Sequence, residues 1–191
     1  MTQLKILKYL IANNDRAFTI NEISKNLQIS YKIVYEIIQR LKNEDLISLN
    51  KVGNSSQVQF NFNFNQKIID AELQRREDVI KDKNLMILTK RFQEINSPFF
   101  IAILFGSYAK GKQTKSSDID ICIICDNKDI TKEINNKISL LPLDLHIIDF
   151  TSKEFLDMLK TTDFNVGHEI KKNNIILHGI ENYYNLIKNP V

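Results

Sequence analysis

The chain has 191 residues, 43% apolar and 26% charged, enough to build a packed core and to exclude a disordered or fibrous polypeptide. That length holds one domain or two small ones. No apolar run approaches the ~18 residues of a membrane-spanning helix, and MTQLKILKYLIANND is too charged for a secretory leader, so the expected setting is the cytoplasm with no membrane partner. The net charge of +3 is unevenly placed: residues 1–65 hold eight Lys and Arg against five Asp and Glu, whereas residues 66–191 hold eighteen of each. The asymmetry points to a polyanion partner for the first part of the chain.

Residues 2–13 space Leu4, Leu7, Leu10 and Ile11 for a helix ending at Asn13-Asn14-Asp15. A short extended piece, Arg16-Ala17-Phe18, leads into Thr19-Ile20-Asn21-Glu22, a capping box that opens a second helix to about Leu27 with Ile20, Ile23 and Leu27 inward. Ser30 caps a third helix, SYKIVYEIIQRLKNEDL, with Ile33, Val34, Ile37, Ile38 and Leu41 as its apolar stripe. Strand-like runs over residues 46–52 and 57–64 flank the turn Gly53-Asn54-Ser55-Ser56, and the second alternates Val58, Phe60, Phe62 and Phe64 with polar residues. Three helices followed by a hairpin resemble the winged helix-turn-helix family. The resemblance implies a DNA-binding domain at residues 1–65 with its third helix in the major groove. The outward face of that helix offers Tyr31, Lys32, Tyr35 and Gln39, with Lys42 beyond them; lysine and tyrosine hydroxyls suit phosphates, and Gln39 suits a base edge. A dimerisation or protein-docking module is the other reading of the same pattern.

Residues 66–95 lack Gly and Pro and mix charge signs densely, which predicts a linker helix, or two abutting ones. Its apolar positions, among them Ile68, Leu73, Ile80 and Phe92, can pack on either domain or on a second copy in a homodimer. The doublet Arg75-Arg76 reads as a solvated face. Cys122 and Cys125 fall inside the apolar run ICIICD and read as core residues of a reducing compartment, not as a redox or zinc pair.

The chemistry lies in FFIAILFGSYAKGKQTKSSDIDICIIC, residues 99–125. An apolar strand over residues 99–105 ends in Gly106-Ser107, and after a ten-residue spacer a second strand opens with Asp118-Ile119-Asp120. Strand alternation puts the two aspartates on one side, ~6–7 Å apart, a span that a divalent cation bridges. Their repulsion calls for such a cation. Gly106 permits a tight turn, Ser107 and the following amides can hold an anion, and Lys110, Lys112 and Lys115 add positive charge.

Gly106, Ser107, Ala109, Lys110, Gly111, Ser117, Asp118 and Asp120 resemble, in type and spacing, the nucleotidyltransferase superfamily of DNA polymerase beta, most closely its minimal prokaryotic members. The resemblance covers residues 96–191. It implies an α+β chain in which a mixed-sheet domain with flanking helices follows the winged helix and the linker. It also implies a third carboxylate from a later strand. In LPLDLHIID, Asp144 fits that role. His146 shares its face and reads as a packed or partly exposed strand histidine, while Asp149 precedes the capping box Thr151-Ser152-Lys153-Glu154. His168 and His178 read as structural, and Tyr183 and Tyr184 as surface packing. The implied mechanism places two Mg²⁺ (or Mn²⁺) on Asp118, Asp120 and Asp144, with Gly106, Ser107, Lys110 and Ser117 binding an NTP, ATP first among them. An acceptor hydroxyl attacks the α-phosphate and pyrophosphate leaves. The acceptor can be a tyrosine of a partner toxin, with this chain as antitoxin, or a small molecule, or a nucleic acid end. The alternative is a transcriptional regulator whose nucleotidyltransferase domain binds nucleotide or a partner without turnover.

Overall fold

The computed structural model describes residues 1–53, 55–114 and 116–188; Asn54 of the expected turn and Lys115 of the lysine group lie outside the described residues. These hold ten helices and seven strands, an α+β architecture, and none of the helices is long and apolar enough to cross a membrane. The chain divides into two compact units, Met1–Ala71 and Glu72–Val191.

In the first unit α1 (Thr2–Ala12) buries Ile6, Leu7, Leu10 and Ile11. After β1 (Phe18–Thr19), helix α2 (Ile20–Leu27) opens on the expected capping box: Glu22 N–H donates to the Thr19 hydroxyl, and Thr19 N–H donates to the Glu22 carboxylate at 2.6 Å. Helix α3 (Tyr31–Asn43) buries Val34, Ile37, Ile38 and Leu41. Ile33, expected in that stripe, is 45% exposed, because at about 100° per residue it is turned off the face that Val34 and Ile37 share. Ser30 stands at the N-cap but makes no side-chain capping bond. Strands β2 (Ile47–Val52) and β3 (Ser55–Phe60) form an antiparallel hairpin, and β1 pairs with the far side of β3. The alternation predicts a strand running to residue 64. It stops at Phe60 because Phe62 takes a left-handed φ of +54° and leaves the ladder. Helix α4 (Gln66–Val79) then begins, with its first six residues in this unit.

The second unit continues through α5 (Lys83–Gln93), β4 (Ile101–Leu104), α6 (Gly106–Ala109), β5 (Ile119–Ile124) and α7 (Lys128–Ser139). It closes with β6 (Leu145–Phe150), α8 (Ser152–Lys160), α9 (Val166–Lys172), β7 (Ile175–His178) and α10 (Ile180–Lys188). The mixed sheet runs β6-β5-β4-β7, with β4 antiparallel to both neighbours and β5 parallel to β6. Parallel pairing needs a crossover, and α7 supplies it. Ile119, Ile121 and Ile123 bury in one cluster with Leu88 and Phe92 of α5 and Ile134 and Ile138 of α7. That leaves the even-numbered side chains at the start of β5 for the opposite face.

Two expectations are corrected in this unit. Arg75 and Arg76 are not a solvated face. Arg75 is buried, pairs with buried Glu72 at 2.6 Å and donates to the Asn174 carbonyl; Arg76 donates to the Leu177 carbonyl at 3.0 Å. Burial holds Arg76 below the ordinary guanidinium value. Tyr183 and Tyr184 are core residues: Tyr184 donates to Glu72 Oε1 at 2.7 Å, and Asn174 donates to the Tyr183 hydroxyl at 3.2 Å. Burial first, and the Glu72 charge second, raise both phenols above their usual range. Cys122 and Cys125 are buried free thiols, as expected, and burial pushes the Cys122 thiol up.

Candidate functional site

The site is assembled at the ends of β4, β5 and β6. As the chain leaves β4, Phe105 N–H donates to the Asp120 carbonyl at 3.0 Å, which fixes the turn against β5. Gly106 follows with φ +66°, and a Cβ there would stand 1.9 Å from Asp120 Oδ2. Glycine is therefore required twice, for the left-handed backbone and for the carboxylate that fills its side-chain space. The single turn of α6 holds half-buried Ser107, whose carbonyl accepts from Lys112 N–H at 3.0 Å, and Gly111 at φ +64° releases the chain. Two expected nucleotide contacts are engaged with the protein itself. Lys110 forms an ion pair with Glu169 of α9, and the Ser117 hydroxyl accepts from Thr114 N–H at 2.9 Å, pinning its own loop.

Asp118, just before β5, is exposed, while Asp120 is half-buried. The parallel register sets His146 of β6 opposite Asp120, and its Nδ1 lies 2.9 Å from Asp120 Oδ1. One ligand atom from each of Asp118, Asp120 and His146 lies within 4.8 Å of the others, the one such cluster of three among the described residues. Two carboxylates and an imidazole so converged are a donor set that fits a divalent cation. Asp144 is exposed one residue before β6, with its carbonyl accepting from Ile119 N–H at 2.9 Å, and its carboxylate is not in the cluster. His146 is the residue that sequence reasoning underweighted. Its place two residues after Asp144 gave it the correct face, but pairing with Asp120 depends on the β5–β6 register. His178, by contrast, stacks on Phe100 with centroids 4.0 Å apart, and His168 on Phe164 at 6.1 Å.

In the first unit Tyr31 and Tyr35 are 54% and 46% exposed and stack with centroids 6.4 Å apart. With Gln39, Lys42 and Lys51 they line a concavity of about 540 Å³ between α3 and the β2–β3 hairpin. Lys32 is exposed on the same helix.

A family model described as Polymerase beta, Nucleotidyltransferase matches residues 83–182, from the start of α5 into α10. No curated protein matches the chain. With more than half of its residues inside the family match, the chain belongs to the polymerase beta nucleotidyltransferase family.

Proposed function

We propose that the chain moves a nucleoside monophosphate from an NTP, ATP first among them, to a hydroxyl acceptor. The observation that carries this reading is the interlock of Gly106 with Asp120, which sets an anion-binding turn directly against a carboxylate pair inside the family-matched region. Asp118 and Asp120 hold the divalent cation, Mg²⁺ or Mn²⁺, which when bound offsets the triphosphate charge and makes the acceptor hydroxyl more acidic. The Gly106–Ser107 turn takes the triphosphate through its amides and the Ser107 hydroxyl. Lys110 joins it by exchanging Glu169 for phosphate, and Ser117 keeps the loop before Asp118 in place. Asp144, on the Asp118 side of the same face, receives the acceptor proton as the new oxygen–phosphorus bond forms and the α–β bridging bond breaks, releasing pyrophosphate.

The test is label transfer from an α-phosphate-labelled NTP in an extract, with protease, nuclease and small-molecule extraction separating the acceptor classes. Asp120→Asn should cut transfer by about two to three orders of magnitude while the circular dichroism stays unchanged. Transfer at the wild-type rate in that variant overturns the assignment.

A second reading concerns residues 1–65, which we infer to be a winged helix that docks duplex DNA. It is supported by the stacked, exposed Tyr31–Tyr35 pair beside Gln39, Lys42 and Lys51, and by the positive charge of this part of the chain. Tyr31, Lys32 and Tyr35 would contact phosphates and Gln39 a base edge. In this reading the chain is also a regulator, and DNA binding without label transfer would leave regulation as its whole role.

A further inference from the structure

On the nucleotidyl-transfer reading above, the candidate metal cluster is a mixed nitrogen and oxygen set, because its third member is His146. Three observations give that histidine a position to bind metal. Its Nδ1 lies 2.9 Å from Asp120 Oδ1. Donors in neighbouring positions on an ion with bonds of ~2.1 Å stand ~3 Å apart, so the separation of the two atoms matches that of two ligands of one ion. The second Asp120 oxygen occupies the space beside Gly106 that a Cβ would fill, so the carboxylate lies directly against the turn. The pairing is also written into the backbone, since Asp120 and His146 are register partners in a parallel ladder. A purely structural purpose is poorly served by the contact. With the His146 side chain 57% exposed, a hydrogen bond or ion pair to Asp120 adds little stability in water.

We propose that His146 is a direct nitrogen ligand of the cation held by Asp118 and Asp120, and that this nitrogen makes the site prefer a first-row transition ion, Mn²⁺ over Mg²⁺. Mg²⁺ is hard, favours six oxygen donors and sheds water reluctantly, whereas imidazole is a borderline donor that favours the transition series. Asp118 is exposed, which leaves the remaining positions open to water and substrate oxygens.

The experiment uses the full chain without nucleotide or acceptor. Mn²⁺ binding is followed by electron paramagnetic resonance, Mg²⁺ binding by competition, and nitrogen coordination by hyperfine coupling in the pulsed spectrum. Wild type should show coupling to one imidazole nitrogen. His146→Gln should lose the coupling and weaken Mn²⁺ by about tenfold or more, with Mg²⁺ changed by no more than about twofold. His146→Asp should also lose the coupling but bind Mg²⁺ more tightly, because it completes an all-oxygen set. Three outcomes overturn the proposal: no Mn²⁺ binding, bound Mn²⁺ without nitrogen coupling, or His146→Gln with the wild-type Mn²⁺-to-Mg²⁺ preference. Binding is read without turnover, so the two readings fail separately. A chain with the coupling and no label transfer retains His146 as ligand and loses the transfer reading, and the reverse pattern does the opposite.

Discussion

Gly106 and Asp120 constrain each other so closely that either one predicts the behaviour of the other. A methyl group at 106 meets Asp120 Oδ2 and also meets the left-handed backbone. Gly106→Ala should therefore cost about 1–2 kcal/mol in backbone strain alone. It should cost more in function, because relief comes from turning the Asp120 carboxylate off the cluster. Urea unfolding and label transfer measured on the same sample check this; a variant with lowered stability but wild-type transfer would show that the carboxylate position is immaterial. The Gly-Ser turn and the Asp-x-Asp pair were legible because both lie within one short stretch and each has a local signature. The bond from His146 to Asp120 was not legible, since it spans two strands and exists only in one register.

Among the helices, α4 departs furthest from what its own sequence suggests. Its charged sequence looks solvated, yet Glu72 and Arg75 are buried against the Asn174 carbonyl and the Tyr184 hydroxyl. Their partners lie about a hundred residues later in the chain, beyond the reach of any helical periodicity. Capping boxes, by contrast, were readable at Thr19 and Thr151 because each is completed within four residues. Within the buried network the members should not be equivalent. Arg75→Met leaves the buried Glu72 carboxylate without a counter-ion, held by the Tyr184 hydroxyl alone, and should cost about 3–5 kcal/mol. Tyr184→Phe removes one hydrogen bond and should cost about 1–3 kcal/mol. Denaturant unfolding at neutral pH ranks the two, and equal costs would mean that Glu72 finds another cation or takes up a proton.

Across the whole molecule, charge and chemistry are divided: the excess of positive charge belongs to residues 1–65, the carboxylate and imidazole cluster to the second unit. If the first unit docks duplex DNA, affinity should fall linearly on a logarithmic salt scale. Changing Lys42 and Lys51 together to Gln should lower that slope by about two without altering nucleotide labelling. Fluorescence anisotropy of the full chain against salt reads the slope directly; an unchanged slope removes these lysines from the interface. The order of elements in both units was largely visible in the sequence, since helix and strand periods and glycine turns are local. Strand order was not visible, because pairing across the sheet is decided by contacts far apart in the chain.

That strand order also bears on how the protein is made. All three cluster residues have been synthesised by position 146, but β4, whose four residues are wholly buried, gains its outer neighbour only with residues 175–178. Until then a nascent chain exposes an apolar strand with a free row of amides and carbonyls, the template on which another chain can pair. An interrupted translation product ending between β6 and β7 would thus hold all three cluster residues and still present an edge prone to aggregate.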